Sequence, residues 1–134
     1  MNAEKMTQKA MEALEAAHAD AVRKGHPELT TLHLLQALLE QEHGLTGNLL
    51  GKMGKDPGML KQAVSEELGK LPTFNGASGR VAASGGMNQV LVRSDDEAKQ
   101  LSDEYVSVEH LLLAILEEGK SGPAGRLLQE QSIR

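Results

Sequence analysis

Ser107-Val108-Glu109-His110-Leu111-Leu112-Leu113-Ala114-Ile115-Leu116-Glu117 decides the fold, because the chain carries it twice. Its partner is Thr30-Thr31-Leu32-His33-Leu34-Leu35-Gln36-Ala37-Leu38-Leu39-Glu40, at an offset of 77 residues. Each stretch opens on a hydroxyl residue able to cap a helix. Each then repeats an apolar doublet one turn later, which gives a helix with a broad buried face. The same offset of 77 pairs Leu29 with Val106, Ala21 with Ala98 and Leu14 with Leu91. Further on, Gly47-Asn48-Leu49-Leu50 aligns with Gly125-Arg126-Leu127-Leu128 at an offset of 78, one inserted residue later. Coincidence among apolar residues would not also align a cap, a histidine and a small residue. The physical reading is a duplicated four-helix unit. One copy's apolar face is too small to stand alone, so the two faces pack on each other.

Working outward, a first helix spans about Thr7 to Lys24, with Ala10, Leu14, Ala17 and Ala21 on one stripe. Thr7 caps its start, and Gly25 followed by Pro27 ends it. A second helix runs from about Thr30 to Glu42 and a third from about Gly47 to Met53. Asp56-Pro57 supplies a cap and a first-turn proline to a fourth, with Leu60, Val64 and Leu68 inward, ending at Leu71-Pro72. Thr73 to Gly86 holds four glycines and no aliphatic stripe, so it reads as a flexible connector. A helix with Val90, Leu91, Ala98 and Leu101 follows, to about Ser102. Ser107 caps the next, and Pro123 opens a last one. Almost nothing alternates with period two, so the fold class is all-α. The expected organisation is a single domain over 1–134, with repeat one at 4–72, the connector at 73–86 and an incomplete repeat two at 87–134. The counterpart of the Asp56–Leu71 helix is expected to be missing from the second copy.

Composition narrows the function. The 134 residues include one Phe, one Tyr and no Trp, so the core is aliphatic. With no Cys there is no disulfide scaffold, thiolate metal site or thiol nucleophile. A net charge of −5 without a Lys/Arg run argues against nucleic acid or an anionic membrane as partner. No apolar stretch reaches bilayer length, and Met1-Asn2-Ala3-Glu4-Lys5 is no signal peptide, so the expected compartment is the cytoplasm.

Gly119-Lys120-Ser121 is the tail of a phosphate-binding loop, but Ala114 stands where the first glycine belongs and a helix precedes it instead of a strand. Gly51-Lys52 is followed by Met53 instead of the hydroxyl that would meet magnesium. No ATP hydrolysis and no catalytic residue is expected of this chain. His18, His26, His33, His43 and His110 lack the i, i+4 spacing of a helical zinc pair, so no metal site is expected. His33 and His110 sit in the first turns of equivalent helices, where hydrogen bonding across a helix start is the favoured role. Asp95-Asp96-Glu97 reads as a solvated helix face. Asp103 and Glu109 flank the loop holding Tyr105, the one tyrosine. Glu109 also suits the helix dipole, so its structural and binding roles both stay open.

Gly25-His26-Pro27-Glu28-Leu29-Thr30-Thr31-Leu32-His33-Leu34-Leu35 resembles the first repeat of the Clp/Hsp100 amino-terminal domain. Asp103-Glu104-Tyr105-Val106-Ser107-Val108-Glu109-His110 and the leucines after it resemble the second. The first repeat's Lys-Leu-Pro ending and the second repeat's motif look most like the ClpB disaggregase branch. Copy one departs from the usual pattern in having Thr31-Leu32 before His33, and Ser94-Asp95-Asp96 is more polar than the family's helix.

The resemblance implies the substrate-engaging N-terminal domain of an AAA+ chaperone, binding exposed apolar segments of unfolded or aggregated polypeptides. The matching polar positions are Thr7, Asp103 and Glu109, beside an apolar wall of Leu91, Tyr105 and Leu112. Thr7 has a competing role as a cap. The resemblance further implies a homohexameric parent using ATP and Mg in its own AAA+ modules, and working with a DnaK-type system. The isolated domain is expected to be a monomer without a cofactor. An adaptor-docking domain of a protease-feeding ClpA- or ClpC-type unfoldase is the nearest alternative. A small hydrolase or metal enzyme is a distant one, for want of a convergent triad or ligand spacing.

Overall fold

The structure is a computed structural model that describes residues 5–41, 44–73, 81–119 and 122–131. Helix α1 is Gln8–Arg23; Thr7 Oγ1 caps it, accepting the Ala10 N–H at 3.2 Å. It ends where Gly25 takes a φ of 71° and the His26 N–H reaches back to the Ala21 carbonyl at 2.9 Å. The residues it buries fully are Ala10, Ala13, Ala17 and Ala21, while Leu14 is only partly covered. Strand β1 (Glu28–Leu29) leads into α2 (Thr31–Glu40), followed by α3 (Leu45–Lys52) and α4 (Pro57–Gly69). Asp56 Oδ1 caps α4 through the Gly58 N–H at 2.9 Å. The second copy supplies β2 (Ala82–Ala83), α5 (Gly85–Gln100), α6 (Val108–Glu118) and α7 (Pro123–Glu130). The all-α class holds, with α2 and α6 at the centre and Leu34, Leu35, Leu38, Leu111 and Ile115 fully buried between them and their neighbours.

The structure departs from the sequence reading at particular places. The third helix begins at Leu45, two residues before Gly47. Residues 82–86, read as the end of a flexible connector, form β2 and the first turn of α5, because Ser84 Oγ accepts the Met87 N–H at 3.1 Å and fixes the helix start. The rest of that stretch from 74 to 80 lies outside the described residues. Leu101, expected on the inward stripe, is the exposed C-cap of α5; the chain turns away at Ser102, whose φ is 60°.

The two copies clasp each other reciprocally. β1 pairs in parallel with β2, Leu29 opposite Ala83, and Met6 pairs in parallel with Val106. An offset of 77 carries Met6 onto Ala83 and Leu29 onto Val106. Correspondingly, the Thr7 N–H donates to the Val106 carbonyl and the Ser84 N–H to the Leu29 carbonyl, each at 2.9 Å. The lead-in to each copy's first helix thus pairs with the lead-in to the other copy's second helix, as a twofold relation requires. Helix α4 breaks the symmetry. It packs on α2, α3 and α7 and has no counterpart among the described residues of the second copy. Leu127 on α7 is 6% exposed, whereas its equivalent Leu49 on α3 is 37% exposed.

Ser94 on α5 is fully buried, and its hydroxyl donates to the Leu91 carbonyl at 2.8 Å. That carbonyl already belongs to the helix, so the bond adds little and competes with helical geometry. The equivalent residue in copy one is Ala17, also fully buried. Ser94→Ala is expected to raise stability by about 0.5 kcal/mol through helix propensity, measured as a higher urea midpoint. A lower midpoint would show that the hydroxyl supports the fold.

Candidate functional site

Both central helices start with the same device. The Thr30 N–H donates to His33 Nδ1 at 3.0 Å, and the Ser107 N–H to His110 Nδ1 at 2.8 Å, each within a reciprocal capping box. With Nδ1 accepting, each neutral ring carries its proton on Nε2. That second nitrogen meets different partners in the two copies. His33 Nε2–H donates to His26 Nδ1 at 2.8 Å, and His110 Nε2–H donates to Asp103 Oδ2 at 2.8 Å. Positions 26 and 103 are themselves related by the offset of 77. Burial, and after it the neighbouring His26, push the His33 imidazole down to about 4. His26 is lowered too, first by burial and then by Lys24, against an opposing pull from Asp20.

Two grooves lie on either side of the Met6–Val106 pairing. The larger, about 470 Å³, runs between α5, the loop after it and Lys5. Leu91, Val92, Ala98 and Val106 give it an apolar floor; Asp103 and Glu104 stand at its edge. Asp95 and Lys99, also on its wall, pair with each other at 3.2 Å. The smaller, about 340 Å³, is lined by Thr7, Lys9, Gln41, Leu45, Val108 and Glu109, among others. At the twofold-related position the space is filled. Gln41 there becomes Glu118, whose carboxylate accepts from the Thr31 hydroxyl at 3.3 Å and the Gly125 N–H at 3.1 Å. Burial pushes Glu118 above the usual carboxylate range, while those two bonds pull it down. Beside Gly86 and Glu118 only about 20 Å³ remains.

The six residues expected from the resemblance are therefore divided. Leu91 and Asp103 meet in the larger groove, Thr7 and Glu109 in the smaller. Tyr105 is half exposed on the loop and lines neither of these grooves. Leu112 is buried with the core. Thr7 uses its hydroxyl as the α1 cap, and half-exposed Asp103 is tied to a buried imidazole. Val92, Lys5 and Leu45 were not expected. Val92 carries a signal after all: it is an apolar residue standing off the α5 stripe, 64% exposed.

Among the described residues no group of three or more His, Asp or Glu is placed to hold a metal ion, and no helix is long and apolar enough to cross a membrane. The family description of the Clp repeat (R) N-terminal domain matches residues 5–131. The chain belongs to that family. The ClpB chaperone of Nitratidesulfovibrio vulgaris is 44% identical over 99% of this chain, and that of Bacillus anthracis is 41% identical over 88%. The chain spans only 16% and 14% of those two proteins. Among solved structures, the Hsp104 N-terminal domain of Candida albicans matches with a TM-score of 0.87 at 25% identity, covering 97% of this chain and 83% of that one. A ClpV N-domain in complex with a VipB peptide shares the fold, with a TM-score of 0.79 at 20% identity, covering 94% and 76%. This Clp repeat domain is accordingly an N-domain of the Clp/Hsp100 chaperone type, similar to those of ClpB proteins, and not an ATPase domain.

Proposed function

We propose that this Clp repeat domain captures exposed apolar segments of unfolded or aggregated polypeptides for a ClpB-type AAA+ chaperone. The observation that supports the reading is the larger groove: an open apolar floor of Leu91, Val92, Ala98 and Val106 with the Asp103 and Glu104 carboxylates at its edge. Burying an apolar side chain there is worth about 25 cal/mol per Å². The edge carboxylates favour segments flanked by basic residues and disfavour acidic ones. Association entropy costs several kcal/mol, so a groove this small binds at about micromolar strength or weaker. Several such domains on one homohexameric ring would gain by avidity what each lacks. ATP and Mg²⁺ would be handled by the parent's AAA+ modules, and a DnaK-type system would work with the parent. Nothing in this reading asks for a cofactor in the domain itself, and its compartment would be the cytoplasm.

Val92→Asp tests it. Val92 is exposed, so the change leaves the melting temperature within about 2 °C. Binding of unfolded casein, followed by NMR titration, is expected to weaken about tenfold, through lost apolar burial and an added charge on the floor. Unchanged affinity would remove the groove from the function. Binding of a small folded adaptor in place of casein, through the same groove, would point to the protease-feeding branch.

A further inference from the structure

The two copies share one capping frame but give it different second partners, a carboxylate in copy two and an imidazole in copy one. We propose that the His26–His33 pair is a proton-operated latch: protonation breaks either it or the α2 cap and so loosens the β1–β2 clasp, whereas beside the Met6–Val106 clasp a carboxylate stands in place of the second ring.

The argument rests on hydrogen positions that the geometry forces. His33 Nδ1 is occupied by the Thr30 N–H, so Nε2 carries the proton and donates to His26 Nδ1 at 2.8 Å. A proton arriving on His26 Nδ1 sets two N–H groups against each other. His33 can relieve that only by moving its own proton to Nδ1, where it opposes the Thr30 N–H. Either the pair or the cap is lost. Both rings are buried, at 3% and 1% exposure, and stand edge to face with centroids 5.0 Å apart, so a charge on either would sit away from water. The charged groups acting on the pair are Asp20 and Lys24. They engage each other at 2.9 Å and so largely cancel. Among the described residues, no charged group of α3 to α7 adds to them.

The segment between the two histidines contains β1, and its carbonyls at Pro27 and Leu29 hold the Ala82 and Ser84 amides. Letting go of His26 therefore frees one edge of that clasp. In copy two the His110 Nε2–H meets a carboxylate oxygen instead, so no second ring stands at that contact.

The direction follows from linkage. His33 binds its proton less readily folded than unfolded, so the stabilisation is complete above the ordinary histidine value of 6.5 and is lost as pH falls toward about 4. Within that window each pH unit lowers the folded-to-unfolded ratio by up to about tenfold.

The test is NMR on the intact chain. At pH 7.5, ring nitrogen shifts are expected to show the Nε2–H tautomer for His26 and His33. Between pH 7 and pH 5, exchange of the Ser84 amide, corrected for intrinsic rate, should accelerate at least tenfold relative to that of Thr7. His26→Asp gives copy one the partner that copy two has, and should abolish the difference. An Nδ1–H tautomer on His33 in the unsubstituted chain, or Ser84 and Thr7 exchanging in step throughout, would overturn the latch whatever the variant does. A folded His26→Asp chain that keeps the acid-induced difference would overturn it as well.

Discussion

Gly125→Ala should lower the stability of this domain by about 3 kcal/mol, roughly 10 °C in melting temperature, while Gly47→Ala should raise it by about 0.5 kcal/mol. The two glycines are equivalent positions in the two copies, so opposite signs need a local cause. A methyl group on Gly47 meets nothing within 4 Å, and the position lies inside α3, where alanine is the better helix former. A methyl group on Gly125 runs into the backbone of Gly119, with its nitrogen at 2.7 Å, and lies 3.1 Å from the Ile115 carbonyl. Backbone cannot swing aside as a side chain does, so α7 would have to lift from α6, and buried Leu127 and Leu128 would lift with it. The extra residue that shifts the repeat offset from 77 to 78 falls between α6 and α7, where Gly119 takes a φ of 58°. Urea unfolding of both variants checks the pair of signs. A shared sign would mean that glycine content, and not the close approach of α7, sets the outcome.

The helix starts were readable because caps are local chemistry. Thr7, Asp56 and Ser107 act on amides two or three residues away, and the sequence shows both ends of each interaction. The duplication was readable because apolar doublets, caps and histidines recur in step. The clasps were not. Glu28–Leu29 and Ala82–Ala83 are too short for any period, and their pairing is set by how the copies dock. Ser84 was hidden among glycines that look like a connector, although its cap lies three residues on. At the site, periodicity places Leu91 and Leu112 alike on inward faces. Only packing decides that Leu91 reaches a groove and Leu112 the core. The His26–Asp103 equivalence stood in the sequence at the repeat offset, but its meaning needed the ring nitrogens in place.

Asp103 joins the two roles, and its variants should separate them. Asp103→Ala leaves the Nε2–H of buried His110 without its acceptor, and the imidazole also loses the contact that orients it for the Ser107 cap. The expected loss is about 1 to 3 kcal/mol. Asp103→Asn keeps an amide oxygen able to accept that proton and removes only the charge, so its cost should stay under about 1 kcal/mol. Glu109→Gln, exposed in the first turn of α6, gives up only a dipole interaction of a few tenths of a kcal/mol. If the carboxylate at the groove edge attracts basic-flanked segments, both Asp103 variants should weaken their capture about threefold to tenfold at low salt, with the difference shrinking as ionic strength rises. Thermal melts and peptide titrations on the three proteins read the two effects separately. Should Asp103→Asn bind like the unsubstituted chain while Asp103→Ala does not, the carboxylate acts only by holding His110 in its cap, and the charge complementarity assigned to the groove is lost.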